Sequence, residues 1–336
     1  MNVLFLGGTG NISTECVAEC LARGHQVTVL TRGQRAVPAG VTAIAGDRYS
    51  AEDLARAAAA ARWDAVVDFL AYTPQDVALA AAAFDGRTRQ DVFISTAAVY
   101  DTPTASLPIT EDAPVGNPHW EYARLKIAAE DVARRAHAAG LPTTIVRPSY
   151  TYGDTWIPSG FGGQDYTVVD RMRRGLPVVC HGDGTALWVM THASDFARGF
   201  AGLLGNEAAI GETFHVTSDE VMTWDAIYDA IGKAAGVSPR IVHVPSALVL
   251  AIVPDRGASL LGDKSHSSVF DNAKLRRAVP GFAARVPFAE GIARSVAWFD
   301  ADPARRVVSE TANANIDRVL AAWSRAWEGL PEGGPR

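Results

Sequence analysis

Val3-Leu4-Phe5-Leu6-Gly7-Gly8-Thr9-Gly10-Asn11-Ile12-Ser13 is the stretch that decides the fold. Four apolar residues in a row suit a strand buried on both faces of a parallel sheet. The glycines that follow let the backbone turn tightly. A helical pattern through Val17, Ala18 and Leu21 then runs to the stop signal Arg23-Gly24-His25. A strand, a glycine turn and a helix N-terminus in this order make a ready site for a pyrophosphate, because unpaired N–H groups and the positive end of the helix dipole converge there. Gly7, Gly8, Thr9, Gly10, Asn11 and Ile12 are therefore the expected pyrophosphate-binding residues. Ser13 stands where the last glycine of such a turn normally falls, so helix and strand must pack around an extra side chain.

Working outward, strands are expected at Val27–Leu30, Thr42–Ala45, Ala65–Leu70, Val92–Ser95 and Thr143–Arg147, with Ala65–Leu70 another buried one and helical stretches among them. Parallel neighbours need a crossover, and strand-helix alternation at this spacing supplies one each time. The fold class is thus α/β, a Rossmann doubly wound parallel sheet with a smaller C-terminal substrate lobe. Residues 1–150 form the dinucleotide-binding domain, completed by a return to the sheet within about 189–217, where Thr213–Val216 reads as a strand. Past Tyr150 the composition changes, with a glycine-rich loop at Pro158-Ser159-Gly160-Phe161-Gly162-Gly163 and a short strand at Val178-Val179. Residues 151–188 and 218–300 are assigned to the substrate lobe. Residues 301–336 are assigned to a helix around Asp317 to Trp327 and a mobile Gly333-Gly334-Pro335-Arg336 tail.

The chain has 336 residues, enough for two lobes, and a formal net charge of -6 that opposes a polyanionic partner. Nucleic acid is therefore not the expected ligand. Three cysteines are too few for a disulfide scaffold. Cys16 and Cys20, four apart on a helix, read as packing groups, since no ligands at zinc-like spacing accompany them; no metal is expected. No apolar run reaches the roughly 20 residues that span a bilayer, and the N-terminal segment lacks a basic n-region and a cleavage site. A cytoplasmic protein is expected.

The second strand ends in Leu30-Thr31-Arg32-Gly33. An acidic residue at this point would hold the ribose hydroxyls of NAD(H), whereas Arg32 pairs with a 2′-phosphate, which favours NADP(H) over NAD(H). Asp47 is a candidate for the adenine edge or a simple loop cap. Phe69, Leu70 and Ala71, at the next strand end, complete the expected cofactor wall.

Tyr122-Ala123-Arg124-Leu125-Lys126 puts a phenol and an ammonium one helical turn apart. A neighbouring cation stabilises phenolate and lowers the tyrosine pKa from about 10, which makes Tyr122 a candidate acid or base for a substrate hydroxyl and Lys126 its tuning partner and a ribose ligand. The pair follows the strand Phe93-Ile94-Ser95-Thr96, whose end should carry a hydroxyl into the same cleft. His119 and Trp120 could line a substrate pocket. Cys180 and His181 form a possible second acid/base pair, and Asp195 reads as an N-cap or first-turn acid.

With the Gly7 turn, Ser95-Thr96, Tyr122 with Lys126, Arg147-Pro148 before Tyr152-Gly153, and Gly182-Asp183-Gly184-Thr185 leading to Ser194-Asp195-Phe196-Ala197, the chain resembles the extended short-chain dehydrogenase/reductase family in its NAD(P)-dependent epimerase/dehydratase branch, over roughly residues 1–300. The resemblance implies that Thr96 hydrogen-bonds the reacting oxygen, Tyr122 transfers the proton and Lys126 tunes it. It also implies that Pro148 and Ser149 border the nicotinamide, and that alanine-rich helices at Val77–Phe84 and Tyr122–Ala139 form a homodimer bundle. A sugar-like secondary alcohol is the expected small-molecule substrate, in an epimerase or a ketone/alcohol oxidoreductase. Two departures narrow this. Sugar-nucleotide 4,6-dehydratases carry an acidic pair where this chain has Ala97 and Ala98, which argues against water elimination. Many nucleotide-sugar enzymes place a diphosphate-binding arginine where this chain has Trp188; Lys264 and His266 are candidates for a replacement anion site or are surface residues. A looser resemblance to chloroplast stem-loop RNA-binding proteins leaves an RNA-binding role, and a catalytically silent NADP(H) sensor, as alternatives.

Overall fold

The computed structural model describes residues 1–162 and 164–328; Gly163 and the Gly-Gly-Pro-Arg tail lie outside the described residues. In chain order the first elements are β1 (Asn2–Leu6), α1 (Ser13–Ala22), β2 (Gln26–Thr31), β3 (Val41–Ala45), α2 (Ala51–Ala60), β4 (Ala65–Asp68) and α3 (Pro74–Phe84). There follow β5 (Asp91–Ile94), α4 (Glu121–Ala138), β6 (Thr143–Pro148), β7 (Tyr150–Tyr152), α5 (Thr167–Arg173), β8 (Val178–His181) and β9 (Leu187–His192). The chain continues with α6 (Ala193–Leu203), β10 (Thr213–Val216), β11 (Val221–Thr223), α7 (Trp224–Ala235) and β12 (Ile241–Val244). Helices α8 (Ser246–Ile252), α9 (Pro254–Ser259), α10 (Ala273–Ala278), α11 (Phe288–Asp300) and α12 (Glu310–Ala326) complete it. Among the described residues no helix is long and apolar enough to cross a membrane.

Seven strands form one sheet in the order β10-β6-β5-β4-β1-β2-β3, and every pair is parallel. The continuous apolar run in β1 has a direct cause. Val3 and Phe5 face one layer, against Cys16, Val17 and Cys20 of α1 and Phe196 and Phe200 of α6. Leu4 and Leu6 face the other, against Leu54 and Ala57 of α2 and Phe84 of α3. A central strand covered on both sides has no solvent face to leave polar. The two cysteines are core side chains, as their helical spacing indicated. β3 lies at the sheet edge and is half-open rather than buried, with the pattern of an edge strand.

The described residues divide into two compact units: 1–153, 189–220 and 269–287 make the first, and those within 154–188, 221–268 and 288–328 the second. Two stretches differ from the sequence assignment. Residues 269–287, assigned to the substrate lobe, pack in the first unit: Leu275 and Phe282 join the core under α1 and α6. Phe270 likewise packs on Tyr100, Ile109 and Val189. The last helix starts at Glu310, seven residues before the expected Asp317, because Ser309 caps it by accepting from the Ala312 N–H. It is part of the second unit, where Ile316 and Val319 pack on Val179, Val244 and Val249.

Candidate active site

The glycine turn is shaped by packing as well as by freedom of φ. Gly8 adopts φ +118°, and a Cβ there would lie 2.8 Å from Val29 Cγ1, in the core between sheet and α1. The following helix begins without a side-chain cap at Ile12, so its first N–H groups are oriented for an anion. Ser13, in place of a glycine, is accommodated by a role of its own: its buried Oγ accepts from the Gly10 N–H at 2.9 Å. Asn11 braces the turn from the other side. Its Nδ2 donates to Thr151 O at 3.1 Å and its Oδ1 accepts from Gly153 N at 2.9 Å.

At the end of β2, Arg32 is exposed. Arg35, which sequence reasoning missed, comes back over the glycine turn and donates from Nη1 to Thr9 O at 2.8 Å. Asp47 caps its own loop by accepting from Tyr49 N at 3.0 Å, the simpler of its two expected roles. The wall formed by Phe69, Leu70 and Ala71 is held by a buried ion pair that the sequence did not disclose. Arg48 grips the Asp68 carboxylate and also donates to Asp76 O at 2.7 Å. Asp68 Oδ1 in turn accepts from Leu70 N at 2.9 Å, and Tyr49 donates its hydroxyl to Leu70 O at 2.9 Å.

Beside this wall the sequence-derived residues Lys126 and Tyr122 lie on α4, and Thr96 follows the end of β5. Lys126 is buried, and its ammonium donates to the carbonyls of Ala71 at 2.6 Å and Ile94 at 2.8 Å, the ends of two neighbouring strands. Burial pulls its pKa down to about 8 against the pull of Asp68 and Glu130, which favour the charged form. The ammonium lies 6.0 Å from the centroid of the half-buried Tyr122 ring. Tyr122 also packs on Trp120 at 4.7 Å and Tyr72 at 6.4 Å between ring centroids. Thr96 is half-buried and extended, and its Oγ1 accepts from Ala98 N at 3.2 Å. Since that bond uses the oxygen as acceptor, the hydroxyl proton is available for donation.

Asn117 joins these pieces. Buried, it donates from Nδ2 to Ala98 O at 3.1 Å and accepts at Oδ1 from His119 N at 3.2 Å and Trp120 N at 3.0 Å. One side chain thus fixes the Thr96 turn against the start of α4, one helical residue before Tyr122. Ser95 does not enter the cleft. Its hydroxyl donates to Glu130 Oε1 at 2.7 Å, inside a buried bidentate Glu130–Arg147 pair at 2.8 and 2.6 Å. Pro148 closes β6 and Ser149 follows it, half-buried.

The sequence profile of the NAD dependent epimerase/dehydratase family matches residues 3–217. The chain belongs to this family. A 2′-dehydrokanamycin reductase from Streptomyces kanamyceticus is 31% identical over 289 residues, covering 85% of this chain and 81% of that protein. The chloroplast stem-loop binding protein of 41 kDa b from Arabidopsis thaliana is 26% identical, covering 72% of this chain and 65% of that protein. Other relatives carry the names dTDP-glucose 4,6-dehydratase and UDP-glucose 4-epimerase. Among solved structures, the Thermus thermophilus UDP-glucose 4-epimerase in complex with NAD superposes with a TM-score of 0.69 at 25% identity, covering 89% of this chain and 99% of that chain.

For a member of this family the glycine turn, the uncapped start of α1 and the Gly8 position that a Cβ would fill are a fitting seat for a nicotinamide dinucleotide. Of the remaining candidates, Ala98 and His119 join this cluster through their backbones. His119 is exposed, and Ala97 and Ala98 are buried in a short turn. In the second unit Trp188 is buried, donates its indole N–H to His266 O at 3.0 Å and packs 5.4 Å from Trp224. Lys264 pairs with Asp263 at 3.1 Å, and its carbonyl accepts from the His181 and Trp224 rings at 2.7 and 3.1 Å. These contacts are a packing knot, and the Lys264 charge is already met. Cys180 and His181 do not form an acid/base pair for neutral pH: burial pushes the thiol up and pulls the imidazole down to about 4. Asp195 sits in the first turn of α6 as expected, but His192 is the cap; the buried Asp195 carboxylate instead accepts from Arg285 N and Val286 N at 2.8 and 2.9 Å.

Proposed function

We propose that this protein is an NADP(H)-dependent oxidoreductase that interconverts a ketone and a secondary alcohol on a sugar that carries no nucleotide diphosphate. The reading is supported by Lys126, held at the ends of β4 and β5 beside Tyr122, and by Asn117, which ties the turn after Thr96 to the residues before α4. When bound, a nicotinamide dinucleotide supplies or accepts the hydride. In the reducing direction Tyr122 gives its phenolic proton to the carbonyl oxygen as that oxygen gains charge. The Thr96 hydroxyl donates a second hydrogen bond to the same oxygen, and the Lys126 ammonium lowers the cost of the phenolate left behind. The Gly7–Ile12 turn would hold the pyrophosphate, and Arg32 with Arg35 a 2′-phosphate.

Three further points favour a reductase over the other reactions named in the family. Ala97 and Ala98 offer no acid or base for eliminating water, which argues against a 4,6-dehydratase. Trp188 offers no charge for a diphosphate. The relative at 31% identity is named a 2′-dehydrokanamycin reductase. An epimerase that recycles its own hydride is the second reading, favoured by the fold shared with the NAD-bound 4-epimerase. We also assign a homodimer to the paired α3 and α4, whose outer positions Ala78 and Ala82 are exposed.

The deciding experiment offers NADPH and NADH with a panel of keto-sugars and keto-aminoglycosides. Net oxidation of NADPH that is lost in the Arg32→Asp/Arg35→Asp double variant supports the proposal. Isomerisation of a UDP-sugar without net coenzyme turnover would replace it with the epimerase.

A further inference from the structure

The second unit contains a side-chain cluster apart from the chemistry above. β8 and β12 pair in parallel with Cys180 directly opposite His243, so the two side chains leave the same face of the ladder. Asp225, in the first turn of α7, reaches the same point. His243 Nε2 and Asp225 Oδ1 are 2.7 Å apart, and the ligand atoms of Cys180, Asp225 and His243 all lie within 4.8 Å of one another. The turn Gly182–Gly184 folds over them: Gly184 has φ +77°, and a Cβ there would overlap Asp225 Oδ1 and stand 2.7 Å from His243 Nε2. Gly184 also accepts from Asp225 N through its carbonyl, at 3.1 Å. Only a residue without a side chain leaves room for this arrangement.

We propose that Cys180, Asp225 and His243 form a binding site for a divalent transition-metal ion of the zinc class. One thiolate, one imidazole and one carboxylate are the donors that such an ion selects over magnesium or calcium. Their charges neutralise it, and three protein ligands leave a coordination position for water. The geometry suits entry from solvent, because Cys180 is the buried floor while His243 and Asp225 are 42% and 38% exposed at the mouth. Binding is proton-balanced: the Cys180 thiol proton passes to solvent, and the His243 proton moves from Nε2 to Nδ1, freeing Nε2 for the ion. The three donors come from β8, β12 and the start of α7, so the ion would pin these elements together. The proposal departs from the expectation of no metal, which considered Cys16 and Cys20 and could not see that residues 180, 225 and 243 meet.

The test is titration of the full chain with Co²⁺ and Zn²⁺. Co²⁺ is expected to give one equivalent of a sulfur-to-cobalt charge-transfer band that Zn²⁺ displaces. The band is expected to persist in Cys16→Ala and disappear in Cys180→Ser. Because Cys180 is buried and its variant could unfold, the half-exposed His243→Gln is the second test; it should weaken metal affinity by at least about ten-fold at unchanged circular dichroism. Zn²⁺ should also raise the melting temperature of the wild type and not of His243→Gln. Absence of the band, or metal affinity unchanged in His243→Gln, overturns the proposal. Neither outcome bears on the hydride chemistry, which is read from reductase activity alone.

Discussion

Replacing Tyr122 by Phe removes one proton donor and leaves the ring packed on Trp120 and Tyr72. Turnover should fall by about 10²–10⁴, the span of a general acid, while calorimetric affinity for the dinucleotide stays within about two-fold of wild type. Full activity in Tyr122→Phe would eliminate the proton-transfer role. Lys126 carries a second prediction at this scale. Its pKa is about 8 in the fold against 10.5 for an ordinary lysine, with burial the cause. Between those values the folded chain holds fewer protons than the unfolded one, so stability rises with pH from about 8 to 10.5 and the cost of the buried charge is fully present below 8. Urea unfolding of the dinucleotide-free protein and of Lys126→Met should show the wild type gaining on the variant over that window, by about 3 kcal/mol at most. A difference flat in pH would mean that the buried ammonium is not the species assumed. Tyr122 and Lys126 were legible in the sequence because helical spacing puts them on one face and the pair follows the Ser95-Thr96 strand end. Strand spacing alone did not separate Ser95 from Thr96, since adjacent residues at a strand end point to opposite sides; the family resemblance chose Thr96, and packing turns Ser95 to Glu130.

Elements carry information that no single residue announces. Asn117 is unremarkable in sequence, yet it closes the turn before α4, accepting from His119 N and Trp120 N, and ties the Thr96 turn to it. Such a link needs two loops to meet, and spacing along one helix cannot reveal it. Asn117→Ala should cost about 1–2 kcal/mol in chemical denaturation, the value of lost hydrogen bonds with buried partners left unmet. It should lower kcat more than it raises the dinucleotide dissociation constant, because the turn and helix it joins hold Thr96 and Tyr122 rather than the glycine loop. Equal losses in both would mark it as a general structural residue. The glycine turn behaves differently: its glycines were readable in sequence, but Ser13 was read only as an extra side chain to pack, and the turn uses its Oγ as an internal acceptor. Arg48 and Asp68 were invisible as a pair because twenty residues and a helix separate them in the chain.

At the scale of the whole molecule, the alternation of strands and helices gave the seven-stranded parallel sheet, but not that 269–287 returns to the first unit. That return depends on Phe270, Leu275 and Phe282 finding partners far away in sequence, and their short apolar spacing looks the same in either unit. Net charge works over the same scale and argues against the RNA-binding alternative. With 31 basic and 37 acidic residues, the mean field repels a polyanion, and counterion release has few cations to draw on. A stem-loop RNA should therefore show no saturable binding at physiological ionic strength, while NADP(H) binds. Salt changes should move the coenzyme affinity by far less than the several powers of ten seen when many phosphates are neutralised. RNA binding that weakens steeply with salt, together with keto-sugar reduction absent in the same preparation, would transfer the function to the RNA-binding reading and leave the Tyr122–Lys126 pair without a reaction.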